Sequence, residues 1–322
     1  MIAFKSPHTD SIRVNAPPQR RWRLKDPTLY LLALPGVIFF LIFSYAPMIG
    51  AVVAFKNFDI SLGVLDSPWN GLQNFVFFFA SGAAAHIVFN TLYLNILFLL
   101  STTFTSVWLA ILLNEVRLRY LQRVLQSTVF LPYFLSAVVV SLMLQSFLSG
   151  IGGQSGLLNH WFNVFQLPSV DWYNTPSVWP LLLTIIKVWQ SAGYLSVIYL
   201  AAITSISEDV YEAARIDGAS SAQIALRITL PLLIPTILIL LLLSVGRIFY
   251  GDFGTIYAII GDNGQLFQTT DVIDTYVFRA LRSSGDLGMT AAIGLAQSVV
   301  GFLLVLVVNF LSRRYSSESA LF

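Results

Sequence analysis

The chain has 322 residues, 56% of them hydrophobic and 11% charged, with a mean hydropathy of +0.75. Soluble domains carry about a quarter charged residues, so the composition excludes an ordinary soluble enzyme and places the chain in the membrane class. The absence of cysteine removes disulfides, zinc-thiolate sites and cysteine nucleophiles; the histidines, His8, His86 and His160, show no metal-ligand spacing.

Residues 1–26 are polar and basic, with Lys5, Arg13, Arg20, Arg21, Arg23 and Lys25 and no apolar core. They read as a retained tail, not a cleavable signal peptide. About 20 apolar residues cross about 30 Å of hydrocarbon, and six runs of that kind follow, at about 28–54, 87–113, 127–148, 178–205, 228–247 and 287–311. The first contains Pro35 and Pro47, which membrane helices tolerate when neighbours satisfy the freed backbone groups. The fourth carries one charge, Lys187. Between the third and fourth runs, Leu157, Leu158, Trp161, Phe162 and Phe165 recur at helical spacing, as in a short amphipathic helix on the membrane surface. The segment 248–287 holds Asp252, Asp262, Asp271, Asp274 and Asp286. It reads as a solvated surface facing a partner, with a calcium site as the alternative.

Lys and Arg accumulate in cytoplasmic loops. With the basic tail inside, 13 of the 18 basic residues fall on that side, including Arg117, Arg119, Arg123, Arg215, Arg227, Arg313 and Arg314. The expectation is an all-α membrane protein of six transmembrane helices with both termini cytoplasmic. The polar segment at about 206–228, between the fourth and fifth spans, then faces the cytoplasm.

That segment carries "EAARIDGASSAQIALRITLP", residues 212–231. Glu208 to Arg215 favour helix, and Asp217-Gly218 supplies a stop because glycine takes the left-handed conformation that helix ends require. Ser220 and Gln223 have the spacing of a capping box, and Pro231 marks the start of the fifth span. Ala213 and Ala214 leave a bare face for close approach by a partner, while Glu212 and Arg215 offer charge. An ordinary loop between spans gives no reason for these features to fall together.

The pattern E-A-A, three residues, G, nine residues, I-x-L-P is filled by Glu212, Ala213, Ala214, Gly218, Ile228, Leu230 and Pro231, and it resembles the signature of permease subunits of binding-protein-dependent ABC importers. From about residue 27 onward the chain is similar to the LplB-type branch, associated with oligo- and polysaccharide uptake. The stretches "YLLALPGVIFFLIFSYAPMIGAVVAFKNF", "SPWNGLQNF", "TTDVIDTYVFR" and "GLAQSVVGFLLVLVVNFLSRR" carry that similarity. Within the branch it resembles permeases of bacterial alginate importers. The resemblance implies a six-span permease domain over 27–322 whose hairpin is a coupling helix docked on an ATP-hydrolysing subunit. Glu212, Ala213, Ala214, Arg215, Asp217 and Gly218 would form that joint. The implied partners are a second, non-identical permease, two ATP-binding subunits, an extracytoplasmic solute-binding protein and membrane lipid, with no nucleic acid; the location is the bacterial inner membrane.

A phosphate-binding loop needs G-x-x-x-x-G-K-[ST], and the four lysines follow Phe4, Leu24, Phe55 and Ile186. The chain is expected to bind no cofactor; ATP and magnesium belong to the partner ATPase. An ion-coupled secondary sugar transporter is the alternative, but such carriers place ionisable groups deep in the membrane, and the six runs contain no Asp or Glu. No paired carboxylates or nucleophile-base set points to catalysis or a metal.

A saccharide pathway calls for amide, hydroxyl and aromatic side chains within spans. The candidates are Asn90, Asn95, Tyr133, Gln145, Trp189, Gln190 and Tyr194, with Thr102, Ser106 and Ser141 beside them; interhelical hydrogen bonding is the competing reading for each. Lys187 and Arg247 are the cationic candidates. A cation in hydrocarbon costs about 2.5–3.5 kcal/mol and no acid within a span can pair with Lys187, so it either snorkels to the surface or faces a wet cavity and meets an anionic ligand such as a uronate oligomer. Gly294, Ser298 and Gly301 share a face of the last span and read as close packing.

Overall fold

In a computed structural model the structure describes residues 27–80, 82–149 and 156–315; the predicted basic tail lies outside them. Among the described residues the regular structure is helical, with one isolated antiparallel bridge between Lys56 and Trp69. Among the described residues, five helices are long and apolar enough to cross a membrane, or six if one bent pair counts as a span.

The chain divides into two units, residues 1–49 and 50–322. In the first, α1 (Pro27–Phe40) passes through Pro35 and widens into a π turn at Leu41–Tyr45, where the Ala46 N–H reaches the Leu41 carbonyl. Pro47 explains the widening, since it has no N–H to donate and its ring crowds the carbonyl four residues earlier. Leu31, Leu32, Phe40 and Phe43 are all more than half exposed, as a lipid-facing surface requires.

The second unit begins with a tight loop. The Lys56 ammonium donates to the carbonyls of Val64 and Leu65, both at 2.7 Å, and lies 5.2 Å from the Trp69 ring centroid. Asn74, on α2 (Gln73–Ala80), donates to the Ala54 and Lys56 carbonyls. A buried cation is thus compensated by carbonyl oxygens instead of a carboxylate.

The centre of this unit is the packing of α3 (Ala84–Glu115) along α7 (Trp179–Thr204). At one end, Val107, Ile111 and Leu113 of α3 meet Tyr199 and Ile203 of α7 and Leu233 of α9 (Leu230–Val245). Towards the other end, Leu94 and Phe98 meet Trp179, Leu183 and Ile186. So α3 and α7 run in the same direction, and α9 starts where they finish. At the start of α3, Ala84 and Ile87 pack with Ile273 of α11 (Ile273–Ser284) and Met289 and Ile293 of α12 (Leu287–Tyr315).

The third run departs from one straight span over 127–148. It is a helix pair, α4 (Arg119–Phe130) and α5 (Ala137–Leu148), joined through a turn at Leu131–Phe134 and bent by 96°. Pro132 interrupts the backbone ladder, and Ser136 starts α5 afresh, its hydroxyl accepting from the Val139 N–H. The predicted surface helix forms as α6 (Leu157–Val164). Its Leu158 packs on the core and Phe162 on Trp172, while Trp161 and Phe165 stack on each other and stay exposed.

Close packing also departs from expectation in the last span. Gly301 faces the Gly246 carbonyl, 3.0 Å from where a Cβ would stand, but Gly294 has nothing within 4 Å. The tightest approach lies elsewhere, where a Cβ on Gly193 of α7 would collide with the backbone carbonyl of Val129 on α4. Overpacking costs about 1–3 kcal/mol and occasionally more, and backbone cannot yield as a side-chain tip can. Gly193→Val is therefore expected to destabilise the protein by the upper end of that range or beyond, read as a lower melting temperature in detergent; an unchanged melting temperature would rule out this contact.

Candidate functional site

Two regions bring the predicted residues together. The first is the hairpin. Helix α8 (Glu208–Ile216) is capped at its start by Ser207, whose hydroxyl accepts from the Asp209 N–H. At its end the Asp217, Gly218 and Ala219 N–H groups turn back to the Ala213, Arg215 and Ala214 carbonyls. Gly218 has φ +79° and open space around it, so its requirement is conformational. Both halves of the capping box are present, Ser220 N–H to Gln223 Oε1 at 2.8 Å and Gln223 N–H to Ser220 Oγ at 3.4 Å. Ile224 and Ala225 are then buried, and a π turn at Ala225–Thr229 leads without a break into α9.

Glu212, Ala213, Arg215, Asp217 and Gly218 are exposed, and Ala214 is partly covered. The sequence reading passed over Ile216, which is 85% exposed. The signal was an apolar residue placed between Arg215 and Asp217, two positions before Gly218. Desolvating such a side chain fully is worth about 1.5–3 kcal/mol, so Ile216 gives the hairpin an apolar knob among its charges.

The second region is a stripe on α7. Lys187, Gln190 and Tyr194 stand three and four residues apart and so share a face. The Lys187 ammonium lies 2.7 Å from Asp252 Oδ2, the two side chains being 31% and 25% exposed. This corrects the expectation that Lys187 lacks an acidic partner. The six apolar runs themselves hold no acid, but Asp252 directly precedes α10 (Phe253–Ile260), which folds back against α5 through Ser141, a donor to the Ala258 carbonyl. Gln190 Nε2 donates to the Leu135 carbonyl at the bend of the α4–α5 pair, at 3.4 Å. Tyr194 stacks on Tyr133 with centroids 4.4 Å apart and planes 10° off parallel.

The remaining candidates lie apart from this stripe. Asn90 donates to the Gln268 carbonyl, whose oxygen also lies 2.6 Å from His86 Nε2, and Asn95 to the Ile248 and Tyr250 carbonyls, so both close backbone. Ser106 bonds back to the Thr102 carbonyl, and the Thr102 hydroxyl is buried without a partner. Gln145, Trp189 and Arg247 are exposed.

Of the aspartates of 248–287, Asp262 and Asp286 are exposed, as a solvated surface requires, while Asp252 and Asp274 are half-buried and Asp271 is buried. Asp252, Asp271 and Asp262 pair with Lys187, Arg279 and Arg282, Asp274 accepts from Gln297 Nε2 at 3.0 Å, and Asp286 accepts from the Met289 N–H at the start of α12. Burial raises the Asp274 pKa above the usual carboxylate value, opposed by its hydrogen bonds to Gln297 and the Gly251 backbone. Among the described residues no three His, Cys, Asp or Glu side chains group as metal ligands.

Long apolar helices with an ordered polar hairpin between two of them describe a multi-span membrane protein. The chain belongs to the family of binding-protein-dependent transport system inner membrane components, whose sequence model matches residues 103–317. It is 32% identical over 317 residues to the polygalacturonan/rhamnogalacturonan transport system permease protein YteP of Bacillus subtilis (strain 168), covering 98% of this chain and 97% of that one. Protein LplB of the same organism is 32% identical over 297 residues, with 91% of each chain covered. A crystal structure of a bacterial alginate ABC transporter, in complex with an alginate pentasaccharide-bound periplasmic protein, contains a chain that superposes with a TM-score of 0.80 at 34% identity, covering 89% of this chain and 94% of that one. A second structure, of a bacterial ABC transporter that imports the acidic polysaccharide alginate, gives 0.79 at 36% identity, with 89% and 95% covered.

Removing one member of a partly buried ion pair strands the other, at a cost between those of exposed and fully buried pairs, about 1–3 kcal/mol. Lys187→Met and Asp252→Asn should each lower stability in detergent by that amount, with the double variant losing less than the sum. Strict additivity in the cycle would mean that the pair does not form.

Proposed function

We propose that the chain is one transmembrane half of an ATP-driven importer of acidic oligo- or polysaccharide, with both termini and the α8 hairpin on the cytoplasmic side. The observation that carries the substrate class is the full-length likeness, at 34–36% identity, to chains of transporters described as importing alginate; the polygalacturonan relative, also named for a uronate polymer, adds to it. A second permease, two ATP-hydrolysing subunits that hold ATP and magnesium, and a periplasmic solute-binding protein complete the machine. This chain contributes no catalysis.

The α8 hairpin is the coupling joint. Ile216 seats in an apolar groove of the ATPase, Glu212 and Arg215 set its register by charge, and Ala213 lets the backbones approach. Gly218 holds the turn that returns the chain to the fifth span, so motion of the ATPase pair passes through the buried Ile224 and the π turn into α9. Along the pathway, Lys187, Gln190, Tyr194 and Tyr133 form the saccharide-facing stripe. An ammonium has three donors, and Lys187 directs one to Asp252, leaving two for a uronate carboxylate; the tyrosine faces suit the C–H surface of a sugar ring.

Three variants test this reading. Ile216→Ser should weaken association with the ATP-hydrolysing subunits by about tenfold or more, the fold-change that corresponds to re-exposing an apolar side chain of its size. Gly218→Val, which forces a side chain into left-handed backbone at a cost of about 1–2 kcal/mol, should lower uptake while the membrane helices still assemble. Wild-type uptake by both variants would remove the coupling role. Lys187→Ala should reduce uptake of acidic oligosaccharides about tenfold, as expected for a lost charge-assisted hydrogen bond, and leave neutral ones nearly unchanged; equal retention of both would remove Lys187 from the pathway.

A further inference from the structure

We infer that the segment entering α4 is a binding site for anionic phospholipid headgroups, built on Arg117, Arg119 and Arg123. The inference rests on the proposed orientation, which puts this segment at the cytoplasmic leaflet. From Val116 to Phe134 there are three arginines and no acid. All three side chains are exposed, and every ion pair among the described residues is made by other cations. The one acid beside them in sequence, Glu115, leaves the cluster with net positive charge.

The position of the cluster identifies its ligand. Gln122 Nε2 donates to the Leu113 carbonyl at 3.1 Å, which ties the first turns of α4 to the last turn of the α3 span. That end of α3 packs with the end of α7 and the start of α9, the same end of the bundle from which the α8 hairpin projects. Since α4 turns by 96° into α5, it leaves the end of one span and bends before the next. Its exposed surface has two strips. Arg119 and Arg123, one helical turn apart, form the cationic strip; Leu121 and Val124, 44% and 42% exposed, form an apolar one, with Tyr120, 82% exposed, between them. A helix with basic and apolar strips side by side and an aromatic at their border fits the boundary between headgroups and acyl chains. Arginine forks match phosphate oxygens two at a time, and basic residues near an anionic membrane surface each contribute attraction that salt screens. An acidic protein partner would match the arginines but give Leu121 and Val124 no acyl surface.

The test uses the whole transporter, purified with its attached subunits into nanodiscs of phosphatidylcholine alone or with phosphatidylglycerol. Lipid retained by the complex is measured by native mass spectrometry. The wild type is expected to retain phosphatidylglycerol preferentially, with the preference falling as salt rises. The triple variant Arg117→Gln, Arg119→Gln, Arg123→Gln should lose it by about fivefold per arginine, on the order of a hundredfold in all; the triple Lys variant should keep most of it. Equal retention by wild type and Gln variant, or a wild-type preference indifferent to salt, would overturn the proposal, and the latter needs no variant to fold. Full displacement by inorganic phosphate at millimolar concentration would make this a free-phosphate site, and detachment of the ATP-hydrolysing subunits from the Gln variant without change in lipid would assign the arginines to a protein partner; either result also overturns it. Lipid retention does not require uptake, so failure of the transport reading would appear separately, as a complex that binds lipid but moves no saccharide.

Discussion

Every helix break in an apolar bundle frees backbone carbonyls that hydrocarbon cannot solvate, and the bundle must supply donors for them. This constraint accounts for the polar side chains that reach from the spans to other segments. Asn95 donates to the Ile248 and Tyr250 carbonyls where α9 ends, and Asn90 to the Gln268 carbonyl just before α11. Gln190 reaches the Leu135 carbonyl at the bend between α4 and α5, and Ser141 the Ala258 carbonyl. Lys56 answers the same demand at the mouth of the bundle.

That accounting separates residues that hold the fold from residues that remain available for work. Asn90 and Asn95 are committed to carbonyls of segments that would otherwise lose their anchors. Lys187, Tyr133 and Tyr194 differ, because they are partly exposed and contact other side chains instead of closing backbone. An ion pair with a quarter to a third of its side-chain surface exposed is neither dry enough to be inert nor wet enough to be negligible. It holds a cation in place on a long apolar helix while leaving it accessible, which an isolated lysine in lipid cannot provide.

The parts legible in the sequence were those decided locally or by the bilayer. Apolar runs longer than the hydrocarbon thickness located the five long apolar helices, and Ser220 with Gln223 and Asp217 with Gly218 located the hairpin ends, since those caps involve neighbours within a few residues. What could not be read depended on contacts between distant segments. Lys187 and Asp252 are 65 residues apart, and they meet only because α10 folds back along α5. The Tyr133–Tyr194 stack depends on the bend at Pro132, a residue that periodicity alone let pass inside a span. Ile216 was hidden for the opposite reason: an apolar residue at a helix end reads as core until the structure leaves it bare.

The hairpin and the stripe are linked through α7, whose end leads into α8 and whose middle carries Lys187, Gln190 and Tyr194. Tyr199 and Ile203 fix that end against α3 and α9, so displacement of α8 loads a packed junction and not a loose tether. On the return side, Thr229 Oγ1 lies 3.4 Å from the Tyr211 hydroxyl, joining α8 to the π turn that begins the fifth span. A π turn carries a widened backbone ladder and often marks a functional position within a helix. It lies between the buried Ile224 and the apolar span, with its own Ala225 and Thr229 buried. The bend at Pro132 is braced on the same helix through Gln190 and packed against Gly193. Movement of α7 therefore reaches the bent pair directly, and the aromatic stack that spans the two helices moves with it.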